Sequence, residues 1–269
     1  MLSRFNDPRN MITKRLIQKL SRQLNILFFS CEISKHHAIY FHELEGDWIV
    51  QLDHCLGYFA GMGYAFAPGA VAHSKHIEIS FDDNYESWHA ALPLLEKYKA
   101  QARFYTNTCV FQEDGECESL ISYRRAIGYS GSDRPLSRSQ LRDISSSGHI
   151  IGAHTHTHAN LSSLSASEVR EEMIVNKQIL EDITGKIVNE MAFTYGMPRN
   201  FSPEAEMICR EIGFSRIAHA TPGMQYAKID EGLVHRTGWK KEISLEENIE
   251  NICIDGRLFV SLTGRSPVG

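Results

Sequence analysis

Alternating strand and helix signals constrain the fold of this chain more than any other feature of its sequence. Segments rich in β-branched and aromatic residues recur along the chain and predict strands. They lie at 25–29, 37–41, 64–66, 77–81, 102–105, 149–153, 189–194, 215–219, 233–239 and 258–262. Helical patterns separate most of them, which is typical of a mainly parallel sheet. About seven strand–helix units in one domain favour an α/β barrel of the TIM type over an open sheet.

Local signals mark where the intervening helices begin and end. The pairs Ser137/Gln140, Ser165/Glu168 and Ser244/Glu247 have the spacing of capping boxes. Helices are predicted at 48–63, 85–98, 137–148, 165–183, 202–213 and 244–254. The polar segment 109–135 is predicted to be a long loop, and loops of that length are usually functional or mobile.

The composition is that of an ordinary globular protein, with 42% hydrophobic and 23% charged residues. The net charge of −5 argues against a general nucleic-acid binder, and thirteen histidines favour metal chemistry. The sequence contains no transmembrane-length apolar run and no signal-peptide pattern. We therefore expect one cytoplasmic catalytic domain over residues 1–269, of which residues 1–30 could form an N-terminal helical extension.

The segment 10–27 is basic and amphipathic. Apolar residues at helical spacing share one face, and cations occupy the other. The apolar residues are Ile12, Leu16, Ile17, Leu20 and Leu24, and the cations are Lys14, Arg15, Lys19 and Arg22. Two interpretations stay open: the helix packs on its own domain with solvated cations, or it makes a peripheral membrane contact.

Two adjacent carboxylates, Asp82 and Asp83, follow the predicted strand 77–81. They could form a solvated turn, since strand ends are rich in Asp. Held close together, however, two carboxylates repel each other unless a cation or a hydrogen-bond network offsets the repulsion. A bound metal ion is the simplest remedy, because one carboxylate can bind it while the other stays free to accept a proton.

Downstream, His154 and His158 follow another predicted strand, with His156 between them. On a helical turn, residues four apart share a face, so two imidazoles can converge on one ion. Such a pair is often no more than surface polarity. Combined with a strand-end Asp, it supplies two nitrogens and one oxygen and leaves a metal position open for water, as in catalytic zinc sites.

These segments resemble the ordered motifs of the polysaccharide deacetylase family. The resemblance rests on residues 80–83, 152–158 and 193–196, with further similarity at 102–105 and 212–214, and it spans about residues 48–239. It implies a distorted, seven-stranded (β/α) barrel. It also implies a hydrolase that removes an N-acetyl group from an amino sugar in a polysaccharide, oligosaccharide or glycan precursor.

The resemblance assigns roles position by position. It makes Asp82 the general base, and it makes Asp83, His154 and His158 the ligands of Zn²⁺ or another divalent transition metal. The backbone N–H of Tyr195 is expected to bind the oxyanion. In that chemistry a metal polarises the acyl oxygen and activates water, and a base takes the proton of that water as it attacks the amide carbon.

The sequence departs from the family pattern at two places. Many members have an arginine three residues before the tyrosine, where this chain has Ala192. Some relatives carry a second arginine on a later strand, which Arg236 matches best, although a structural ion pair would explain Arg236 equally well. The predicted last strand, 258–262, lacks the histidine that supplies the general acid. This leaves His235 as a weak candidate and His219 as a weaker one.

Two other functions remain open at this stage. The same centre could remove a formyl group or open a small cyclic amide. Alternatively, the chain could be a non-catalytic carbohydrate-binding relative, which the two departures favour and the presence of Asp82 disfavours.

Overall fold

The computed structural model describes residues 20, 23–28, 36–66, 75–111, 118–223 and 232–268. Most of the segment 10–27, and hence of the amphipathic helix predicted there, lies outside these residues. Leu20 and residues 23–28 have helical backbone. No helix within the described ranges is long and apolar enough to cross a membrane.

Within the described residues, eight short parallel strands form the centre of the molecule. They are β1 (His36–Phe41), β2 (His76–Asp83), β3 (Arg103–Thr106), β4 (Ile150–Ala153), β5 (Glu190–Ala192), β6 (Arg216–His219), β7 (Leu233–His235) and β8 (Thr237–Gly238). Their order in the sheet is β7-β6-β5-β4-β3-β2-β1-β8. Each strand from β1 to β6 therefore lies beside the next strand in the chain.

One chain segment nearly closes this sheet into a barrel. Strand β7 pairs with β6, and β8, which begins after the single residue Arg236, pairs with β1. Residues 233–238 thus contact both edges of the sheet, so seven chain segments build the eight strands. The predicted α/β barrel is confirmed.

Helices surround the barrel. They are α1 (Asp47–Gly61), α2 (Ser87–Ala90), α3 (Leu92–Lys97), α4 (Glu118–Ala126), α5 (Arg138–Ser146), α6 (Ala166–Thr184), α7 (Pro203–Glu211), α8 (Leu245–Ile252) and α9 (Arg257–Thr263). The three predicted capping boxes form at the starts of α5, α6 and α8. In each box the side chains of the first and fourth residues satisfy backbone N–H groups that the helix leaves unpaired.

Four local predictions were wrong. Residues 258–262 belong to helix α9, because β8 already occupies the free edge of β1 and no edge remains there for another strand. Residues 25–28 are helical rather than extended. The predicted helix 85–98 is split into α2 and α3, since Pro93 stands in the first turn of α3 and has no N–H to continue α2. The predicted loop 109–135 contains helix α4.

Alternation along the strands creates two different packing layers. On β2, Ile77, Ile79 and Phe81 belong to the large core that includes the helices. The intervening Glu78, Ser80 and Asp82 face the barrel interior. A second, small apolar cluster fills the middle of that interior and consists of Ala38, Tyr105, Ala192, Ala218 and Val234.

Gly152 on β4 makes room for the largest member of this interior cluster. A Cβ atom at position 152 would lie 2.5 Å from the ring of Tyr105. The absence of a side chain therefore lets the tyrosine ring lie flat against the strand.

Candidate active site

Three predicted ligands meet at the carboxyl end of the barrel. The Nε2 atoms of His154 and His158 lie 3.5 Å and 3.3 Å from Oδ1 of Asp83. All three residues are buried, and their ligand atoms lie within 4.8 Å of one another. The other carboxylate oxygen of Asp83, Oδ2, accepts a hydrogen bond of 3.3 Å from the Tyr85 hydroxyl. The carboxylate is thus oriented with one oxygen toward the two imidazoles.

Left-handed backbone conformations shape the loops that carry these residues. The φ angles of Asp83, Thr155, His158 and Tyr195 are 85°, 64°, 61° and 59°. Non-glycine residues seldom adopt such angles, and they concentrate at functional sites. The expected helical turn over 154–158 was wrong, because this segment is a loop. Two left-handed residues, rather than helical spacing, bring the imidazoles together.

Two buried asparagines that the sequence analysis missed hold this loop. Asn107 donates to the carbonyls of His154 and Thr155, the latter at 3.1 Å. Asn176 on α6 accepts from the His154 N–H at 3.1 Å and donates to the Thr155 carbonyl at 2.8 Å. Asn176 interrupts a buried face otherwise formed by Val169, Met173, Leu180 and Ile183. A polar residue in an apolar stripe is the sequence signal that could have identified it.

The donor set fits a divalent metal ion. His154 Nδ1 lies 2.8 Å from the Ala192 carbonyl, so it carries the proton and leaves the Nε2 lone pair facing Asp83. Burial by itself would raise the pKa of Asp83, but its contacts with the imidazoles of His154 and His158 outweigh burial and hold the pKa well below its usual range. A charged carboxylate facing two imidazole nitrogens is an arrangement that a cation satisfies. His156, by contrast, turns away and pairs with Thr108 at 2.9 Å.

Asp82 lies next to this triad but has a different partner. Arg236 donates to both of its oxygens, from Nη1 to Oδ1 at 2.6 Å and from Nη2 to Oδ2 at 2.7 Å. Arg236 also donates to the Ser80 hydroxyl and to the His219 carbonyl. A bidentate pair of this kind fixes the plane of the carboxylate.

Aromatic rings enclose the Arg236 guanidinium. Its central carbon lies 4.7 Å from the ring centroid of Tyr40 and 5.1 Å from that of Tyr105. Such stacking favours the cation in a buried setting. Ala192, at the position where many family members have an arginine, is a small residue of the interior cluster and cannot pair with Asp82. In the part of the chain described here, Arg236 is the arginine that contacts Asp82.

Tyr195 borders the same cleft. Its ring lies edge-on to His158, with 4.7 Å between centroids, and its hydroxyl donates to the Ala126 carbonyl at the end of α4 at 3.1 Å. Gly196 follows with a φ of 60°, and a Cβ atom there would lie 2.4 Å from the Ala220 Cβ. This tight turn fixes where the Tyr195 backbone sits.

The two histidines predicted as candidate acids do not line the cleft, whereas an unpredicted one does. The cleft, of about 120 Å³, is lined by Tyr40, His42, Asp82, Asp83, Ile127, His154, His158, Phe193, Tyr195, Gly196 and Ala220. His219 and His235 pack against each other outside it, 5.8 Å apart between ring centroids. Burial lowers the pKa of His219 to about 3, which disfavours a proton-donating role near neutral pH. His42 follows strand β1, and its position at a strand end is the signal that could have identified it.

A larger cleft of about 620 Å³ lies beside the amino ends of β3 and β4, between Leu92 and His149. Its walls do not combine a carboxylate with convergent histidines, so we assign the chemistry to the smaller cleft.

Comparison with known proteins agrees with this geometry. The sequence profile of the family described as "Polysaccharide deacetylase" matches residues 70–215, which is more than half of the chain. No curated protein sequence is similar enough to the chain to count as a relative.

Several solved structures share the fold. IcaB from Ammonifex degensii is 18% identical, with a TM-score of 0.64 over 77% of this chain and 92% of that one. The Streptococcus pyogenes deacetylase PplD is 17% identical, with a TM-score of 0.64 over 81% and 97%. A de-N-acetylase from Aggregatibacter actinomycetemcomitans is 16% identical, with a TM-score of 0.64 over 81% and 99%. At these identities the likeness establishes the barrel fold.

The family match covers the segment that carries the Asp82-Asp83 pair, both histidines and Tyr195. The chain therefore belongs to the polysaccharide deacetylase family, whose members are metal-dependent hydrolases acting on N-acetyl amide bonds.

Proposed function

We propose that this protein removes the acetyl group from an N-acetylated amino sugar and that it uses a divalent metal ion, most simply Zn²⁺. One observation carries the proposal: Asp82, locked by Arg236, lies directly beside a separate carboxylate–imidazole triad. A protein that only binds sugar has no need of a second, oriented carboxylate at this position. The geometry therefore favours catalysis over a binding role.

Asp83, His154 and His158 would hold the metal. When bound, it supplies Lewis-acid polarisation and activation of water. The hydrogen bond from His154 to the Ala192 carbonyl and that from Tyr85 to Asp83 keep the ligand atoms directed inward. Such outer contacts typically contribute about ten- to a hundredfold to metal affinity.

Asp82 is positioned to accept a proton from the attacking water. Arg236 holds its two oxygens in a fixed plane, so the carboxylate needs no reorientation during the reaction. The Tyr195 backbone N–H, set by the turn at Gly196, is the candidate donor to the developing oxyanion.

We assign proton donation to the leaving amine to His42. Among the cleft-lining residues described, it is the one imidazole besides the two proposed ligands. It is solvent-exposed, so it can exchange protons with water between turnovers. The small volume of the cleft suits an acetamido group, with most of the sugar remaining outside.

An acyl-release screen tests the proposal. The full chain with added Zn²⁺ would be incubated with free, lipid-linked and nucleotide-linked N-acetyl sugars, with N-formyl analogues included to test deformylation. Acetate and new amine would be measured, with Asp82→Asn as the matched control. We expect acetate from at least one class and little from the control. Release from none of them, or equal release by both proteins, would overturn the proposal.

A further inference from the structure

The helical residues near the N-terminus present a row of apolar side chains to solvent. Leu20, Leu24, Leu27 and Phe28 are 52%, 55%, 75% and 71% exposed. Their spacing of four, three and one places them on one helix face. Exposure of single large apolar residues is ordinary, but four on one face form a patch that marks an interaction surface.

A different face of the same segment contacts the domain. Asn25 is buried, and its side-chain amide donates to the Pro267 carbonyl near the C-terminus. This contact directs residue 25 inward, while the leucines and Phe28 point outward. The segment therefore contacts the domain without using its apolar face. That face is left available for the second interpretation of the sequence, a peripheral membrane contact.

Charge is strongly segregated between this segment and the rest of the chain. Residues 1–28 contain six cations (Arg4, Arg9, Lys14, Arg15, Lys19 and Arg22) and one anion (Asp7), for a net charge of +5. The whole chain carries −5, so residues 29–269 carry −10. A basic segment with an outward apolar face on an acidic protein is complementary to a surface that is both anionic and apolar.

We propose that the face formed by Leu20, Leu24, Leu27 and Phe28 docks this enzyme on anionic phospholipid membranes. The apolar side chains enter the boundary between headgroups and acyl chains, and the net charge of +5 on residues 1–28 attracts this part of the chain to lipid phosphates. The acidic remainder of the chain is repelled by the same lipids, which orients the protein with this segment toward the membrane.

Vesicle co-sedimentation of the full chain tests this proposal. Vesicles of phosphatidylglycerol mixed with phosphatidylcholine should bind the protein, whereas vesicles of phosphatidylcholine alone should bind it far less. Added salt should weaken binding, because screening removes the electrostatic part. Leu27→Ser and Phe28→Ser should each weaken partitioning by roughly tenfold, since burial of one large apolar side chain is worth about one such step.

Matched controls distinguish binding through this face from non-specific binding to vesicles. Ile187→Ser alters the large apolar residue that is most exposed among those the structure describes, at 83%, and should leave vesicle binding unchanged. Lys14→Glu/Lys19→Glu should reduce binding to the anionic vesicles, whereas Lys99→Glu/Arg142→Glu, which makes the same charge change elsewhere on the surface, should reduce it much less. Thermal unfolding of each variant verifies that the domain is intact.

Three results would overturn the proposal. The first is failure of the parent protein to sediment with anionic vesicles. The second is unchanged binding by the Leu27→Ser and Phe28→Ser variants. The third is a stable dimer in light scattering that dissociates in these variants while vesicle binding is absent, because a second copy would then cover the face.

Discussion

The two ends of the barrel interior both contain buried charges, but they balance them differently. At the amino end, the Glu78 carboxylate is 2.8 Å from Arg103, 2.5 Å from Arg216 and 2.7 Å from His36. Glu190 adds a second carboxylate, 2.6 Å from Arg103. At the carboxyl end, Asp83 faces two imidazoles, and no lysine or arginine in the described ranges forms an ion pair with it.

This difference indicates which end is structural and which is built for a ligand. Burial would raise the pKa of Glu78, but the hydrogen bond from His36 and the charges of Arg103 and Arg216 lower it to about 2. The protein itself neutralises that carboxylate. Asp83 lacks a guanidinium partner of this kind, so an external cation completes its site.

The largest effect we expect is from Asp82→Asn. The substitution keeps the shape of the side chain but removes its ability to take a proton. General-base assistance is typically worth about a hundred- to ten-thousandfold, so acetate release should fall by at least about a hundredfold. Metal content, measured by atomic emission, should not change. Loss of the metal in Asp82→Asn, with retention in Asp83→Asn, would reverse the two roles.

Glu78→Gln tests the buried ion pairs at the amino end of the barrel. Removal of one partner from a buried ion pair typically costs about 3–5 kcal/mol in unfolding free energy, and Glu78 serves two arginines. Chemical denaturation should show this loss while metal content is unchanged. Asp53→Asn is the control, because the Asp53–Lys97 pair of 2.8 Å is largely exposed and such pairs contribute at most about 1 kcal/mol. If both variants lost the same unfolding free energy, the buried ion pairs of Glu78 would contribute no more to stability than the exposed Asp53–Lys97 pair.

Two variants of one loop, His158→Ala and His156→Ala, test which of these histidines binds the metal and which only supports the loop. His158 faces Asp83, whereas His156 pairs with Thr108. We expect zinc affinity, measured by competition with a chromogenic chelator, to drop by about a hundredfold or more for His158→Ala, since even outer contacts are worth ten- to a hundredfold. His156→Ala should stay close to the parent. A similar loss in both variants would mean that the ligand set is wrong.

Arg236→Met tests whether the ion pair with Asp82 serves positioning. Turnover should fall by about ten- to a hundredfold, because small misplacement of a reacting group has effects of that size. Metal content should be retained, and Arg236→Lys should restore only part of the turnover, since lysine cannot bind both oxygens in a plane. Unchanged turnover would leave Arg236 with a structural role alone.

Acid should produce the smallest effect, a gradual loss of stability. Burial lowers the pKa of His37 to about 4 and that of His219 to about 3, below the ordinary value of 6.5. Below pH 6.5 the unfolded chain therefore binds more protons than the folded one, so stability falls as the pH decreases toward those values. The contribution of Glu78 persists above about pH 4.5 and is lost toward pH 2.

Denaturation with a chelator present, at pH 7.5 and 5, measures this slope without metal effects. His219→Leu removes one buried imidazole and should flatten the slope, whereas the exposed control His54→Gln should not. If the pH dependence of the unfolding free energy were unchanged in both variants, groups other than His219 would cause the loss of stability in acid.

The sequence alone determined the features that depend on local spacing. Capping at Ser137, Ser165 and Ser244 requires only a partner three residues away, so these helix starts were predictable. Alternation along 77–81 identified the strand, and the order of the Asp82-Asp83, His154–His158 and Tyr195 motifs indicated the family.

The tertiary structure decided the features that depend on contacts between segments far apart in the sequence. Arg236 reaches Asp82 across 154 positions of the chain, and His42 enters the cleft because β1 lies beside β2. Residues 258–262 form a helix, and β8 instead pairs with the edge of β1. Local patterns specify which face a residue takes on its own element. The partner it meets across the barrel is set by strand order and register, which no short stretch of sequence encodes.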